Sequence, residues 1–258
     1  MKFDPEKDST LPGSWDGLWT ERSHIPPWDY LSHIILAEIQ PLCGKPGSGW
    51  ILEAGSGSGR ISKRLSRSGF TICQMDNSIA SLVFNRRNDG GDARLLAGDI
   101  RQVPIQDNAL DIVWSSGVLE HFRGDGLTGA IRDLARIVRP GGRIISFVPY
   151  SRCLPYRAAK WLLERIGRWP YGREDPLDSL RDNCRAAGLE VEWERTTAFS
   201  ALGIQNLQYL PGLRALGWWS NGIACRLHDI GLLRLWDRVA SQLFGGYLLL
   251  CVARKPRA

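Results

Sequence analysis

The stretch Ile51-Leu52-Glu53-Ala54-Gly55-Ser56-Gly57-Ser58-Gly59-Arg60 joins an apolar run to a glycine-rich turn and then to a helical pattern. Glycine adopts a positive φ without strain and lets a ligand approach the backbone closely. The first N–H groups of the following helix are free to donate hydrogen bonds to that ligand. The order strand, glycine turn and helix predicts a ligand-binding turn, although such a turn alone is a weak indication.

Two acidic residues follow at the ends of the next two predicted strands. Asp76 comes 21 residues after Gly55, and Asp99 comes 23 residues after Asp76. Doubly wound nucleotide sites place a ribose-binding carboxylate at the end of the second strand, and the carboxyl ends of parallel strands meet at one edge of the sheet. The spacing predicts one crevice that contains the glycine turn and both acids. Taken singly, each acid could instead be a helix cap or a turn former.

Apolar runs alternate with helical patterns along the chain, and this alternation predicts the fold class α/β, a doubly wound and mostly parallel sheet of seven strands with helical insertions. A 3.6-residue repeat of apolar residues predicts a helix over 127–138, ended by Pro140-Gly141-Gly142. Shorter helices are predicted over 60–67 and 78–87, and Pro26-Pro27 can open a helix that runs through Ile39. The predicted strands are 50–53, 70–76, 94–97, 110–115, 143–148, 189–196 and 247–254.

The length of 258 residues and an average composition, 43% hydrophobic and 23% charged, predict a single folded domain. Its expected parts are an N-terminal helical cover (1–49), a cofactor-binding core (50–150), a basic amphipathic insertion (151–175), the remaining sheet (176–199 and 247–258) and a helical insertion (200–246). The charged N-terminal sequence lacks the apolar stretch of a secretory signal, and the longest apolar run has seven residues, where a spanning helix needs roughly 20. We therefore expect a cytoplasmic protein.

The two insertions suggest contacts with a substrate or a membrane. The segment 200–246 is rich in leucine and tryptophan, and its position between the last two strands predicts a substrate lid; the alternative is helical packing that covers a sheet edge. The segment 151–175 predicts an amphipathic helix that makes peripheral contact with an anionic membrane and serves a lipid-linked substrate. Its apolar side carries Ala158, Leu162, Ile166 and Trp169, and its polar side carries Arg157, Lys160, Glu164 and Arg168.

Three further motifs reinforce the glycine turn and the acids: Asp107-Asn108-Ala109-Leu110-Asp111-Ile112-Val113, Val118-Leu119-Glu120-His121-Phe122 and Val138-Arg139-Pro140-Gly141-Gly142. With them the chain resembles the class I S-adenosylmethionine-dependent methyltransferases, specifically the type 11 small-molecule group, over about residues 50–148. The resemblance implies S-adenosyl-L-methionine (SAM) as cofactor and S-adenosyl-L-homocysteine as product. It also implies that residues 53–59 wrap the cofactor, that Asp76 binds its ribose hydroxyls and that Asp99 contacts the adenine amino group. The cofactor-binding residues expected are Glu53, Gly55, Ser56, Gly57, Gly59, Arg60, Asp76, Asn77, Asp99, Ile100 and Ser116.

Other ligand classes fit the sequence less well. Arg60 stands where the dinucleotide fingerprint needs a glycine, and no P-loop Gly-Lys-Ser or Gly-Lys-Thr occurs. Ser115-Ser116-Gly117-Val118 replaces the Asn/Asp-Pro-Pro-aromatic motif of nucleic-acid amino methyltransferases, so no specific nucleic-acid partner is expected despite a net charge of +6. His24, His33 and His228 are scattered and the six cysteines lie far apart, so no metal site is expected.

These observations predict in-line transfer of a methyl group from SAM to oxygen, nitrogen or carbon of a small or hydrophobic molecule. Alignment of the reactants supplies about 7–11 kcal/mol of the barrier in such reactions, so no catalytic dyad is required. His121, just after the fourth strand, is the candidate general base, and its alternative role is structural hydrogen bonding. A non-catalytic SAM-binding regulator remains the alternative function. The oligomeric state is not predicted.

Overall fold

A computed structural model of the chain describes residues 15–20, 28–89, 93–167, 169, 171–201 and 214–257. Seven strands form one sheet in the order β3-β2-β1-β4-β5-β7-β6. Strands β1 to β5 pair in parallel, and β7 lies antiparallel between β5 and β6. The strands are β1 Trp50–Ala54, β2 Thr71–Asp76, β3 Arg94–Ala97, β4 Leu110–Ser116, β5 Val138–Pro149, β6 Glu190–Thr197 and β7 Leu248–Arg254.

Strand β1 pairs with β2 on one side and with β4 on the other, so Leu52 lies beside both Cys73 and Val113. The chain winds outward in one direction through β2 and β3 and in the other through β4 and β5. In open α/β sheets a ligand crevice forms at this reversal, outside the carboxyl ends of the strands. The glycine turn after β1 therefore enters the crevice as a direct consequence of strand order.

Helices cover both faces of the sheet, and side chains alternate between two apolar clusters along each buried strand. Val113 packs on one face with α5, whereas its neighbours Ile112 and Trp114 pack on the opposite face with α2. Most buried positions of the central strands are apolar, and the buried polar residues include Glu53, Asp76 and Ser115 near the carboxyl ends of β1, β2 and β4. The helices are α1 Asp16–Thr20, α2 Tyr30–Ile39, α3 Arg60–Arg67, α4 Ile79–Asp89, α5 Gly124–Ile137, α6 Leu154–Arg165, α7 Arg181–Ala186, α8 Arg214–Asp229 and α9 Leu232–Phe244, with 3-10 turns at Gln40–Leu42 and Leu119–His121.

The prediction for the fifth strand was wrong at its start, since β5 begins at Val138 rather than at residue 143. Val138 already pairs with Leu110, and the register then shifts before Ile112 pairs with Arg143. Gly142 permits this irregular pairing, because a Cβ there would lie 2.6 Å from the backbone oxygen of Asp111. The Pro140-Gly141-Gly142 segment therefore lies inside the strand instead of separating helix from strand.

The described part of the predicted lid does not cover the crevice. Helices α8 and α9 pack against α2 and β6, and none of the described residues of 214–246 lines the crevice. Asp237 on α9 accepts hydrogen bonds from Ala198 N and Ser200 N at 2.9 and 2.8 Å, which ties α9 to the end of β6. For these two helices the structure favours the alternative, packing over the sheet. Residues 202–213 lie outside the described part of the chain.

Contact between α2 and α8 corrects the prediction that the histidines are scattered. The rings of His33 and His228 lie 5.0 Å apart, and His33 Nε2 lies 2.9 Å from Asp229 Oδ1. The three side chains offer ligand atoms within 4.8 Å of one another, so they could hold a metal ion. This group lies away from the crevice, and His24 falls outside the described residues.

A helix must be long and apolar to cross a membrane. No helix in the described ranges combines the length and the apolar character needed to cross a bilayer.

The position of β7 inside the sheet predicts different outcomes for two leucine substitutions. Leu250 on β7 is 0% exposed, whereas Leu243 on α9 is 70% exposed. Leu250→Ala should lower the free energy of unfolding by about 2–5 kcal/mol, because it leaves a cavity in the core. Leu243→Ala should change it by less than about 0.5 kcal/mol. Urea denaturation measures both, and equal effects would contradict the described packing.

Candidate active site

A crevice of about 350 Å³ lies at the carboxyl ends of β1, β2 and β4. Its floor is the glycine turn after β1, the end of β2 and the loop after β4. Helices α1 and α2 form one wall, and residues 171–174 with the start of β7 form another. The N-terminal helices and the 171–174 loop thus occupy the place that the sequence analysis gave to the lid.

The glycine turn is held close to the neighbouring strand. Gly55 N and Ser56 N both donate to the carbonyl oxygen of Met75, at 2.8 and 2.9 Å. Gly55 has a φ of 77°, and a Cβ there would lie 2.4 Å from a methyl group of Val118. Only glycine fits this position without displacing the loop after β4. The hydroxyl of Ser56 is buried in the crevice with no hydrogen-bond partner among the described residues.

Asp76 joins the second strand to the glycine turn. Its side chain is 6% exposed, and it accepts hydrogen bonds from Gly57 N at 2.7 Å and from Ser78 N at 2.9 Å. Burial raises the pKa of Asp76, although the N–H donors favour the charged form. Each carboxylate oxygen has a second acceptor site, so Asp76 can bind a diol while it keeps both backbone contacts.

Glu53 adds a second buried carboxyl group to the floor of the crevice. Burial raises the pKa of Glu53 to about 8, and the hydroxyl of Ser62 donates a hydrogen bond to its carboxyl group. The guanidinium of Arg60 points to Asp29, with an N–O distance of 2.9 Å. The floor of the crevice therefore has a surplus of acidic groups, which suits a ligand with positive charge.

Nine of the eleven predicted cofactor-binding residues line the crevice: Glu53, Gly55, Ser56, Gly57, Arg60, Asp76, Asn77, Ile100 and Ser116. Their binding roles stay predictions. The structure does not bring Gly59 to the crevice wall; a Cβ there would lie 2.0 Å from Gln74 Oε1, so this glycine lets α3 pack against β2. Asp99 also does not line the crevice, because its carboxylate accepts hydrogen bonds from Arg101 N and Nε at 2.8 and 3.0 Å.

His121 lines the crevice next to Trp15, with ring centroids 5.1 Å apart. Its Nδ1 donates a hydrogen bond to the carbonyl oxygen of Arg173 at 2.7 Å, so the ring holds the 171–174 loop. Burial lowers the pKa of His121 to about 4, which keeps the ring neutral at pH 7. Its role as a general base stays a prediction, and the geometry also gives it the alternative structural role.

The chain matches a family model described as a methyltransferase domain over residues 52–146. It is 29% identical to a malonyl-[acyl-carrier protein] O-methyltransferase of Erwinia pyrifoliae over 83% of this chain and 84% of that one. A protein of the same name from Enterobacter lignolyticus is 31% identical over 69% and 66% of the two chains. Other relatives of that name are matched over 37% to 56% of their length.

The chain belongs to the class I S-adenosylmethionine-dependent methyltransferases of type 11. The fold agrees with this assignment. The structure of geranyl diphosphate C-methyltransferase from Streptomyces coelicolor, in complex with S-adenosyl-L-homocysteine, superposes with a TM-score of 0.59 at 15% identity and covers 87% of this chain and 79% of that one. SAM is the cofactor of this methyltransferase.

The crevice fits SAM by shape and by charge. The positive φ values of Gly55 and Gly57, 77° and 50°, turn the backbone at the end of β1, and Val118 and Trp19 lie where their side chains would be. The unpartnered hydroxyl of Ser56 offers a hydrogen bond, and Asp76 offers two acceptor sites to ribose hydroxyls. SAM carries an ammonium and a sulfonium group, and a positive charge near the buried carboxyl of Glu53 favours its ionised form. When bound, SAM supplies an activated methyl group.

Sequence analysis missed several residues that line the crevice. Glu120 stands in a motif that was quoted for the resemblance, directly beside His121, and its acidic side chain after β4 was the signal that went unused. No sequence pattern indicated Glu174 or Tyr171 as crevice residues, because the segment that contains them was assigned to a surface insertion. Tyr247 was treated only as the start of a strand.

The tight fit at the glycine turn predicts opposite results for two glycine substitutions. Gly55→Ala should weaken SAM binding about tenfold or more, because the alanine is strained at positive φ and displaces Val118. Gly126→Ala is the control, since Gly126 lies in α5 with nothing within 4 Å of the added Cβ. Titration calorimetry with SAM measures both. Unchanged affinity in Gly55→Ala would show that the turn does not contact the cofactor.

Proposed function

We propose that this methyltransferase transfers the methyl group of SAM by in-line displacement to an oxygen, nitrogen or carbon atom of a small or hydrophobic molecule. One observation carries the proposal: besides the glycine turn and Asp76, the crevice is lined by large apolar and aromatic side chains. These include Trp15, Leu31, Ile35, Tyr171 and Tyr247. We call the part of the crevice that they line, together with Glu120 and Glu174, the acceptor half. Its apolar and aromatic walls suit a compact organic acceptor and exclude water from the reacting atoms.

The crevice residues would act mainly by positioning SAM and the acceptor relative to each other. Asp76 and the glycine turn would hold the adenosyl part of SAM, which would supply the methyl group. The aromatic side chains would hold the acceptor and orient it for the transfer. Such alignment accounts for about 7–11 kcal/mol of the barrier in well-oriented reactions. A base with access to the attacking atom adds about a hundred- to ten-thousand-fold in rate.

The name of the relatives raises malonyl-[acyl-carrier protein] as an acceptor, and the charges in the crevice disfavour it. A malonyl group carries a free carboxylate. The acceptor half contains two buried acids, Glu120 and Glu174, and Arg60, the arginine among the described lining residues, is paired with Asp29. An anionic acceptor would be buried without a free cation among the described lining residues, and ionisation of either acid would repel it. The charges therefore support a small acceptor without negative charge.

An acceptor screen tests the proposed function. The wild-type enzyme is incubated with SAM and a set of small amines, alcohols, phenols and lipid headgroup analogues, with malonyl-[acyl-carrier protein] as a further acceptor, and release of S-adenosylhomocysteine is measured. We expect turnover with at least one small acceptor and none with malonyl-[acyl-carrier protein]. Turnover with malonyl-[acyl-carrier protein] alone would contradict the proposal, and SAM binding without any turnover would favour the regulator alternative.

A second candidate is a lipid-linked acceptor reached at a membrane surface, and the exposure of α6 favours it. Trp161 and Leu162 are 55% and 53% exposed, and Leu154 and Ile166 at the ends of the helix are 72% and 52% exposed. The helix also carries Arg157, and the segment after it leads directly to the 171–174 wall of the crevice. An exposed apolar side next to cationic side chains is typical of interfacial helices.

Flotation with vesicles rich in phosphatidylserine tests the second candidate. Wild-type protein should float with these vesicles at low salt and release at high salt, because salt screens the attraction. The pair Trp161→Ser and Leu162→Ser should abolish flotation. A matched pair on α9, Leu235→Ser and Trp236→Ser, removes residues of similar exposure and should leave it intact. Equal flotation of all three proteins, or none by the wild type, would exclude α6 as a membrane contact.

A further inference from the structure

Two buried carboxyl groups share one wall of the acceptor half. Glu120 lies on the 3-10 turn after β4 and is 2% exposed, and Glu174 lies in the loop after α6 and is 7% exposed. Two hydrogen bonds join their segments: Asp175 N donates to Glu120 O at 2.8 Å, and His121 Nδ1 donates to the carbonyl oxygen of Arg173 at 2.7 Å. The fold therefore holds both acids in fixed positions inside the crevice.

The two carboxyl groups differ in their hydrogen bonds. The hydroxyl of Tyr156 donates to the carboxyl group of Glu174. Glu120 Oε2 is fully buried and has no hydrogen-bond partner among the described residues, although Glu120 lines the crevice. A buried polar atom without a partner costs free energy, so its presence in a cavity indicates a ligand donor.

Neither carboxyl group forms an ion pair within the described ranges. Burial raises the pKa of both Glu120 and Glu174, and Glu120 raises that of Glu174 further, so the protein alone favours their protonated form. Two cations nearby pair with other acids, Arg123 with Asp175 and Lys160 with Glu164. The other polar and titratable groups around the pair are His121, Tyr156, Tyr171, Cys153 and Tyr247.

Aromatic rings complete the surroundings of the acid pair. Tyr171, Tyr247 and Trp15 line the same half of the crevice, and Tyr247 lies against Tyr156 with ring centroids 4.9 Å apart. Aromatic faces attract cations within about 6 Å of the ring centroid. Buried acids together with aromatic rings form a cation-binding environment.

We propose that Glu120 and Glu174 bind the ammonium group of an amine acceptor and take the proton that this group must lose before its nitrogen is methylated. The inference rests on the proposed function and names its acceptor class. An alcohol brings no charge that would ionise the pair, and a carboxylate would oppose its ionisation. An ammonium group supplies hydrogen-bond donors and a positive charge that favours the ionised form of the pair.

The proton and electron balance is complete with SAM as methyl donor. Binding of the acceptor R–NH3⁺ ionises the pair, which releases one proton to water. The bound R–NH3⁺ then gives one proton to the resulting carboxylate and becomes R–NH2. Its lone pair forms the N–CH3 bond while the S–CH3 bond breaks and its electron pair stays on sulfur. The products are R–NH2⁺–CH3 and neutral S-adenosylhomocysteine, and the pair is protonated again, as before the acceptor bound.

Acceptors with one carbon skeleton and different head groups test the inference. Phenethylamine, phenethyl alcohol and hydrocinnamate are compared for turnover with SAM, and for binding to the enzyme–S-adenosylhomocysteine complex by calorimetry in two buffers of different ionisation enthalpy. We expect the amine to bind with release of protons and to be methylated at least tenfold faster than the other two. Preference for the alcohol or the acid, or no binding of the amine, would overturn the inference.

Matched variants separate this result from failure of the proposed function. Glu120→Gln and Glu174→Gln should raise the KM for the amine at least tenfold and remove the proton release, while SAM affinity stays within twofold of the wild type. Glu190→Gln, an exposed acid at the start of β6, should change none of these quantities. Unchanged amine kinetics in both crevice variants would overturn the inference. If the wild-type protein did not bind SAM, the result would contradict the proposed function instead.

Discussion

The hydrogen bond between the glycine turn and Asp76 is the contact on which the site depends. Gly57 N donates to one carboxylate oxygen at 2.7 Å and connects the ends of β1 and β2, while Ser78 N donates to the other oxygen at 2.9 Å and fixes the side chain. The Cβ position of Gly55 lies against Val118 after β4. Three separate strand ends thus meet in one small volume. Strand order creates the crevice, and these contacts give it a defined shape.

The crevice collects buried acids at a cost in stability. Glu53 and Asp76 lie on the cofactor side and Glu120 and Glu174 on the acceptor side, and burial raises the pKa of each of them. Burial of carboxyl groups without a cation disfavours their charged form. The proposed function explains why the acids are kept, because the positive groups of SAM favour the ionised form of Glu53 and Asp76 when SAM binds. Proteins commonly keep such destabilising features at active sites.

Much of the fold could be predicted from the sequence, because its signals are local. The apolar strands, the glycine turn and Asp76 each follow from a short pattern of residues, and the structure has all seven predicted strands with shifted ends. The start of β5 could not be predicted, since Pro140-Gly141-Gly142 resembles a helix stop and only the pairing of Val138 with Leu110 reveals a strand. The acids at the end of β1 and β2 belong to the same local signals.

Contacts between distant segments could not be predicted. Glu174 reaches the crevice because the loop after α6 is bonded to the 3-10 turn that carries Glu120, and no short pattern encodes that contact. His33 and His228 meet across two helices although 195 residues separate them in the sequence. Helix α9, a described part of the predicted lid, likewise contacts β6 through the hydrogen bonds that Asp237 accepts from Ala198 N and Ser200 N.

The central claim is that Asp76 and the glycine turn together hold SAM. Titration calorimetry of SAM with the wild type and with Asp76→Ala tests it most directly, with Asp107→Ala, an exposed acid paired with Arg136, as control. The account predicts that SAM binds to the wild type and to the control with similar affinity, and that Asp76→Ala lowers the affinity at least tenfold. Equal affinity in all three folded proteins, or no heat of binding in the wild type, would contradict it.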